Sequence, residues 1–109
     1  MRIFVSILAI LFGGLHFIAG LTQFKAKDPA ARGFGTAMAC GGIALICAAI
    51  VHLMGHLSGW QDVISAVTGC LLICAAACEN GRRSGNFHLS HHIVRGGIAV
   101  LLVIGFLIW

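Results

Sequence analysis

The sequence predicts an all-α membrane protein, a bundle of about four short transmembrane helices forming a single domain over residues 1–109. Three observations carry that reading. The chain is 60% hydrophobic and only 9% charged, too little polar surface to cover a water-soluble fold. Its mean hydropathy is +1.03, and apolar runs close to the roughly 20 residues that span a bilayer core recur four times between polar breaks. These runs lack the alternation of barrel strands, so helices are the form that satisfies their backbone groups within lipid.

The first helix is placed at about 3–24, and the break Lys25-Ala26-Lys27-Asp28-Pro29-Ala30-Ala31-Arg32-Gly33 ends it with charge and proline. Met1-Arg2 and the apolar run to Gly20 also have the form of a secretory signal, whose removal would leave three helices; the reading adopted keeps this segment as a helix. The second helix is placed at about 34–57. Ser58-Gly59-Trp60-Gln61-Asp62 then forms a tight turn, with Trp60 at the height of an interfacial anchor. The third runs over about 63–79 and is followed by a polar loop, Asn80 to Asn86. The last is placed at about 91–109, near the short limit for spanning.

The formal charge of +4 does not gather into an open basic patch, so no nucleic-acid contact is expected. Lys25, Lys27 and Arg32 fall in the first break, Arg82 and Arg83 in the third, and Arg95 just inside the last helix, from which it can snorkel toward them. These residues read as topology signals that also meet lipid headgroups. Four passes put the first and third breaks on one side, and the other side has only Arg2 and the amino terminus. The chain is therefore expected to be a multi-pass protein of the inner membrane, with breaks 25–33 and 80–92 cytoplasmic and both termini outside.

Membrane helices meet through small residues, and the chain has fifteen glycines. Two ridges of spacing four stand out, Thr36, Cys40, Ala44 and Ala48 in the second helix and Ala66, Cys70, Cys74 and Cys78 in the third. Around them Gly42, Leu45, Ile46, Cys47, Ala48 and Ala49 are nearly repeated by Gly69, Leu72, Ile73, Cys74, Ala75 and Ala76, a likeness that composition alone could produce. The five cysteines lie within apolar segments, where disulfides are not expected and a small packing role fits better than copper binding or thiol exchange.

An ionisable group inside a membrane helix is a functional candidate by default, which singles out His16. His52 and His56, four residues apart on one face, have a spacing suited to a shared metal, and histidines on separate helices suit a haem. His88, His91 and His92 mark a polar start to the last helix on the opposite side. Asp28 and Asp62 fall in breaks and Glu79 at a helix end, which speaks against proton-coupled export. No phosphate-binding loop, nucleophile elbow or paired acids are present, so no catalytic residues and no enzyme activity are expected.

At the first break, Gly20-Leu21-Thr22-Gln23-Phe24-Lys25-Ala26-Lys27-Asp28-Pro29 followed by Gly35-Thr36 resembles a hairpin in small glycine-rich inner-membrane subunits of type IVB secretion systems, the Dot/Icm-like and related conjugative machines. In that family a glycine-rich helix ends in Phe-Lys, a basic Lys-Asp-Pro-like turn follows, and Gly-Thr opens the next helix. The match covers roughly a third of the chain. The resemblance implies a structural subunit of a multiprotein envelope assembly, in secretion or conjugation, with a pilin-like subunit as a related form and no catalytic residue.

The leading expectation is therefore a structural or assembly subunit whose partners are membrane lipids, further copies of itself or other membrane subunits. Two alternatives stay open. One is an oligomeric channel or transporter with His16, His52 and His56 in a polar path. The other is a redox subunit carrying haem or a transition metal at His52 and His56, although no cofactor is the primary expectation.

Overall fold

The computed structural model describes residues 1–55 and 60–109 and is all-helical. Its four helices, each long and apolar enough to cross a membrane, are α1 (Arg2–Gln23), α2 (Pro29–Met54), α3 (Gln61–Ser84) and α4 (Leu89–Ile108). The turn residues Ser58 and Gly59, the expected end of the second helix at Leu57, and His56 lie outside the described residues.

Several boundaries differ from expectation, each for a local reason. Pro29 begins α2 instead of belonging to the break, because its fixed φ and missing N–H suit the first helical position. Asp28 caps that turn, its carboxylate accepting from Ala30 N at 3.1 Å. Ala30, Ala31, Arg32 and Gly33 are thus helical. At the other end Gly55 adopts φ 62° and its N–H donates to Val51 O, closing α2 after Met54. The expected loop 80–86 is mostly helix: α3 continues through Asn80 to Ser84 and stops at Gly85, with φ 74°. Arg82 and Arg83 in its last turn complement the helix dipole. α4 starts upstream at Leu89, and its 20 residues reach about 30 Å at the usual rise, enough for the bilayer core.

α2 is the centre of the bundle, packed closely on α1 and α3, while α4 makes thinner contacts with α3 and α1. The close packing rests on glycine meeting glycine. A Cβ added to Gly13 would lie 2.8 Å from Gly42 O, and one added to Gly42 would lie 2.5 Å from Gly13 O. Gly20 and Gly35 face each other in the same way, with 2.5 and 2.8 Å, and so do Gly41 and Gly69 across α2 and α3, with 2.8 and 2.7 Å. Only glycine lets the backbones come this near.

The two interfaces are built alike. Gly13 sits over Gly42, Leu45 and Ile46, and Gly41 sits over Gly69, Leu72 and Ile73. Reciprocally, Gly42 meets Phe17, four residues after Gly13, and Gly69 meets Leu45, four residues after Gly41. The near-repeat of Gly42-x-x-Leu45-Ile46 in Gly69-x-x-Leu72-Ile73 is thus the receiving half of one crossing used twice.

The spacing-four ridges sit differently from what packing residues would require. Thr36 and Cys40 are exposed, Ala44 is half-buried and only Ala48 is buried; in α3 Ala66 and Cys70 are buried, but Cys74 and Cys78 only partly. Steps of four residues advance about 400°, so a stripe of that spacing drifts about 40° per step around the helix. Steps of seven drift only about 20°. Gly13 and Gly20, and Gly35 and Gly42, keep the seven-residue spacing and stay in the seam.

The main core joins all four helices through Val5, Ala9, Phe12, Leu45, Ala48, Ala66, Cys70, Ile73, Ala99, Leu102 and Phe106. Elsewhere α1 and α4 present large apolar side chains outward, among them Ile7, Leu11, Leu15, Ile98, Leu101 and Leu107, as lipid contact requires.

Gly13→Ala is expected to destabilise the bundle by roughly 1–3 kcal/mol through overpacking against the Gly42 backbone. Gly14→Ala, whose Cβ would meet nothing within 4 Å, is expected to be neutral or stabilising. Unfolding titrations in mixed detergent micelles measure both, and equal stability of the two variants would refute the glycine-contact account.

Candidate functional site

Polar chemistry is confined to the two ends of the bundle, with the apolar core between them. At the end that holds both termini, His52 in the last turn of α2 is buried at 7% exposure. Its Nδ1 lies 2.6 Å from Oδ2 of Asp62, in the first turn of α3. A carboxylate only accepts, so Nδ1 carries the proton and donates. The other oxygen of Asp62 accepts from Val63 N at 2.8 Å, placing the carboxylate at the positive end of α3. The His52 ring packs on Phe106 of α4 with centroids 4.7 Å apart.

Next to this pair is a cavity of ≈ 290 Å³ lined by Arg2, Val51, His52, Gly55, Trp60, Asp62, Val63, Phe106, Leu107 and Trp109. Arg2 Nε donates to the main-chain oxygen of Trp109 at 3.3 Å, tying the start of α1 to the end of α4. Among the described residues Nε2 of His52 is buried without a hydrogen-bond partner, as is the hydroxyl of Ser6, which is fully buried on α1. The two are not bonded to each other, so no nucleophile and base are coupled here. The site offers a carboxylate-oriented imidazole whose outer nitrogen can accept a proton or a hydrogen bond.

At the opposite, basic end, His16 Nδ1 lies 2.8 Å from Phe12 O. A carbonyl only accepts, so this nitrogen donates and Nε2 is left to accept from Arg95 Nε at 3.1 Å. Arg95 Nη1 donates in turn to His92 Nδ1 at 3.2 Å, and His92 stacks on Phe87 with centroids 4.5 Å apart. Arg95 is therefore turned inward and half-buried, held between two neutral imidazoles, where the sequence suggested that it snorkels outward. Lys25, Lys27, Arg32, Arg82 and Arg83 are exposed at the same end. Arg82 lies 3.6 Å from Glu79, and Arg83 stands 5.8 Å over the Phe34 ring.

The histidines thus divide in a way their spacing does not reveal. His16 belongs with His92 and Arg95, and His52 belongs with Asp62, so His16 and His52 sit in separate polar clusters. Between them along α1 and α2 lie buried Val5, Ala9, Phe12, Leu45 and Ala48. His88 and His91 contact each other edge to face. Among the described residues no group of three or more His, Cys, Asp or Glu is placed to hold a metal ion, and the suggested partner His56 lies outside them. Asp62, read from the sequence as a turn residue, is the functional candidate that was missed. Its partner lies across a break, and no spacing rule connects the two.

No family model, curated protein or solved structure matches this chain.

Asp62→Ala is expected to cost about 1–3 kcal/mol by leaving the buried imidazole of His52 without its acceptor. His52→Phe combined with Asp62→Ala is expected to recover part of that loss, because two apolar groups replace both partners. Thermal unfolding of the purified variants measures this, and a double variant less stable than Asp62→Ala would contradict it.

Proposed function

We propose that this chain is a small structural or assembly subunit of an inner-membrane complex, working through lateral association with copies of itself or with other membrane subunits. The observation that supports this most is the outward face of α2. Gly33, Thr36, Cys40 and Cys47 are exposed there, sharing the face with the larger Ile43 and Ile50. Lipid-facing surfaces elsewhere on the bundle carry leucine, isoleucine and phenylalanine, whereas small side chains allow a further helix to approach. The type IVB secretion, conjugation and pilin-like settings suggested by the first hairpin belong to this reading. So does an orientation with the basic breaks in the cytoplasm and the termini outside. No catalytic role and no resident cofactor are part of it.

Native cysteines make the reading testable in membranes. A symmetric pair of chains meeting along this face brings Cys40 or Cys47 against its own copy, since a twofold axis normal to the bilayer keeps equivalent residues level. Mild oxidation of membranes containing the protein is expected to give a reducible dimer that is lost in Cys40→Ala/Cys47→Ala and retained in Cys70→Ala/Cys74→Ala/Cys78→Ala. A chain that stays monomeric on oxidation and by light scattering in mild detergent would remove self-association through α2.

A second reading, an oligomeric channel or transporter, draws support from the half-buried His52–Asp62 pair beside its cavity. Asp28 and Asp62 in breaks and Glu79 at a helix end count against proton coupling, but Asp62 is half-buried in the first turn of α3 and bonded to His52, which weakens that objection for this one carboxylate. Proteoliposomes enclosing a pH-sensitive dye are expected, on this reading, to pass protons at a rate that His52→Phe and Asp62→Asn each lower at least several-fold. No flux above empty vesicles would dispose of it.

A further inference from the structure

We infer that Arg95 is the centre of a binding site for the phosphate group of an anionic phospholipid, whose acyl chain lies in the groove between α1 and α4. The argument begins with the charge. Arg95 sits two turns into an apolar helix, and neither ion pair found among the described residues involves it. Its neighbours His16 and His92 both accept from it, so both are neutral and neither supplies a counter-charge. A half-buried cation within a membrane span calls for an anion.

The geometry is prepared for one. Two of the five guanidinium N–H groups are taken by the imidazoles, which fix the plane of the group. The rest are free for the paired contacts that guanidinium makes with phosphate oxygens. Polar groups from Asn80, Ser84 and Asn86 line the same vestibule, whose volume is ≈ 400 Å³. The start of α4 borders it too, and no side chain caps that helix, so its first N–H groups add to the positive potential.

A second, apolar groove leads away from the same arginine. It has a volume of ≈ 380 Å³ and runs between α1 and α4, with Phe12, Leu15, Val94 and Ile98 along it and His16 and Arg95 at its head. α1 and α4 pack more thinly on each other than α1 on α2 or α2 on α3. A polar vestibule and an apolar groove that share one cation match the two halves of a phospholipid, and free phosphate would leave the groove unused. Anionic headgroups are favoured because no carboxylate lines the vestibule to receive a choline or ethanolamine ammonium, and the surrounding end is basic.

The test uses the full chain in a neutral detergent, titrated with phosphatidylglycerol, phosphatidylcholine or inorganic phosphate, with bound species counted by native mass spectrometry. Phosphatidylglycerol is expected to bind at one saturable site at least tenfold more tightly than phosphatidylcholine, a comparison that needs no variant. Arg95→Gln is expected to erase that preference, and Ile98→Trp, which fills the groove, to weaken phosphatidylglycerol at least fivefold. Arg83→Gln, at the exposed surface, is expected to change it less than twofold. Equal affinity for the two lipids, or full retention of the preference in Arg95→Gln, would overturn the proposal. Arg95-dependent binding of inorganic phosphate with no preference between the lipids would overturn the lipid assignment and leave free phosphate as the ligand.

Discussion

Backbone contact between glycines is the constraint on which the rest of this bundle depends. In water, helices are driven together by burying apolar surface, but lipid tails offer that surface an equally apolar environment. What remains is dispersion across closely fitted surfaces, and dispersion falls steeply with even a small gap. The pairs Gly13–Gly42, Gly20–Gly35 and Gly41–Gly69 remove the side chains that would hold the axes apart. They also fix the register of α1, α2 and α3, because each pair leaves no room for a slipped neighbour. From that register follow the buried positions of Leu45 and Ile73, each fully enclosed.

The same constraint explains why α4 is different. Its contact with α1 runs through Gly105 against the Val5 side chain, not against backbone, and Gly96 and Gly97 have nothing near them. The helix is therefore held mainly at its terminal half, where Ala99, Leu102 and Phe106 enter the core. Its basic half contributes no buried residue, and the grooves beside Arg95 lie along that half.

Segregation of polar groups follows from the bilayer. A buried polar atom in hydrocarbon needs a partner, and apart from Ser6 Oγ, Gln23 Oε1 and His52 Nε2 the described residues find theirs, the longest-range pairs lying near the ends of the bundle. Asp62 in the first turn of α3 takes His52 in the last turn of α2, and Arg95 near the start of α4 takes His16 of α1 and His92. In the middle, alanine, leucine, isoleucine and cysteine fill the space. The thiols of Cys70 and Cys74 share that apolar setting.

Composition and hydropathy by themselves determined the class of this protein, because four apolar runs of spanning length leave little besides a helical bundle. The helix count and the segregation of basic residues were equally legible. Local chemistry settled the boundaries more finely than hydropathy could: Asp28 and Pro29 start a helix that a hydropathy reading begins later, and Gly85 ends one that it stops too early. The faces were decided only by tertiary packing. A stripe of spacing four is conspicuous in sequence, yet it winds off the interface, whereas the seven-residue glycine spacing that stays in it is hidden among fifteen glycines. The polar partnerships were beyond the sequence for the same reason. Arg95 and His16 are 79 residues apart and His52 and Asp62 lie on different helices, so only helices brought together by their glycines put these groups within hydrogen-bonding reach.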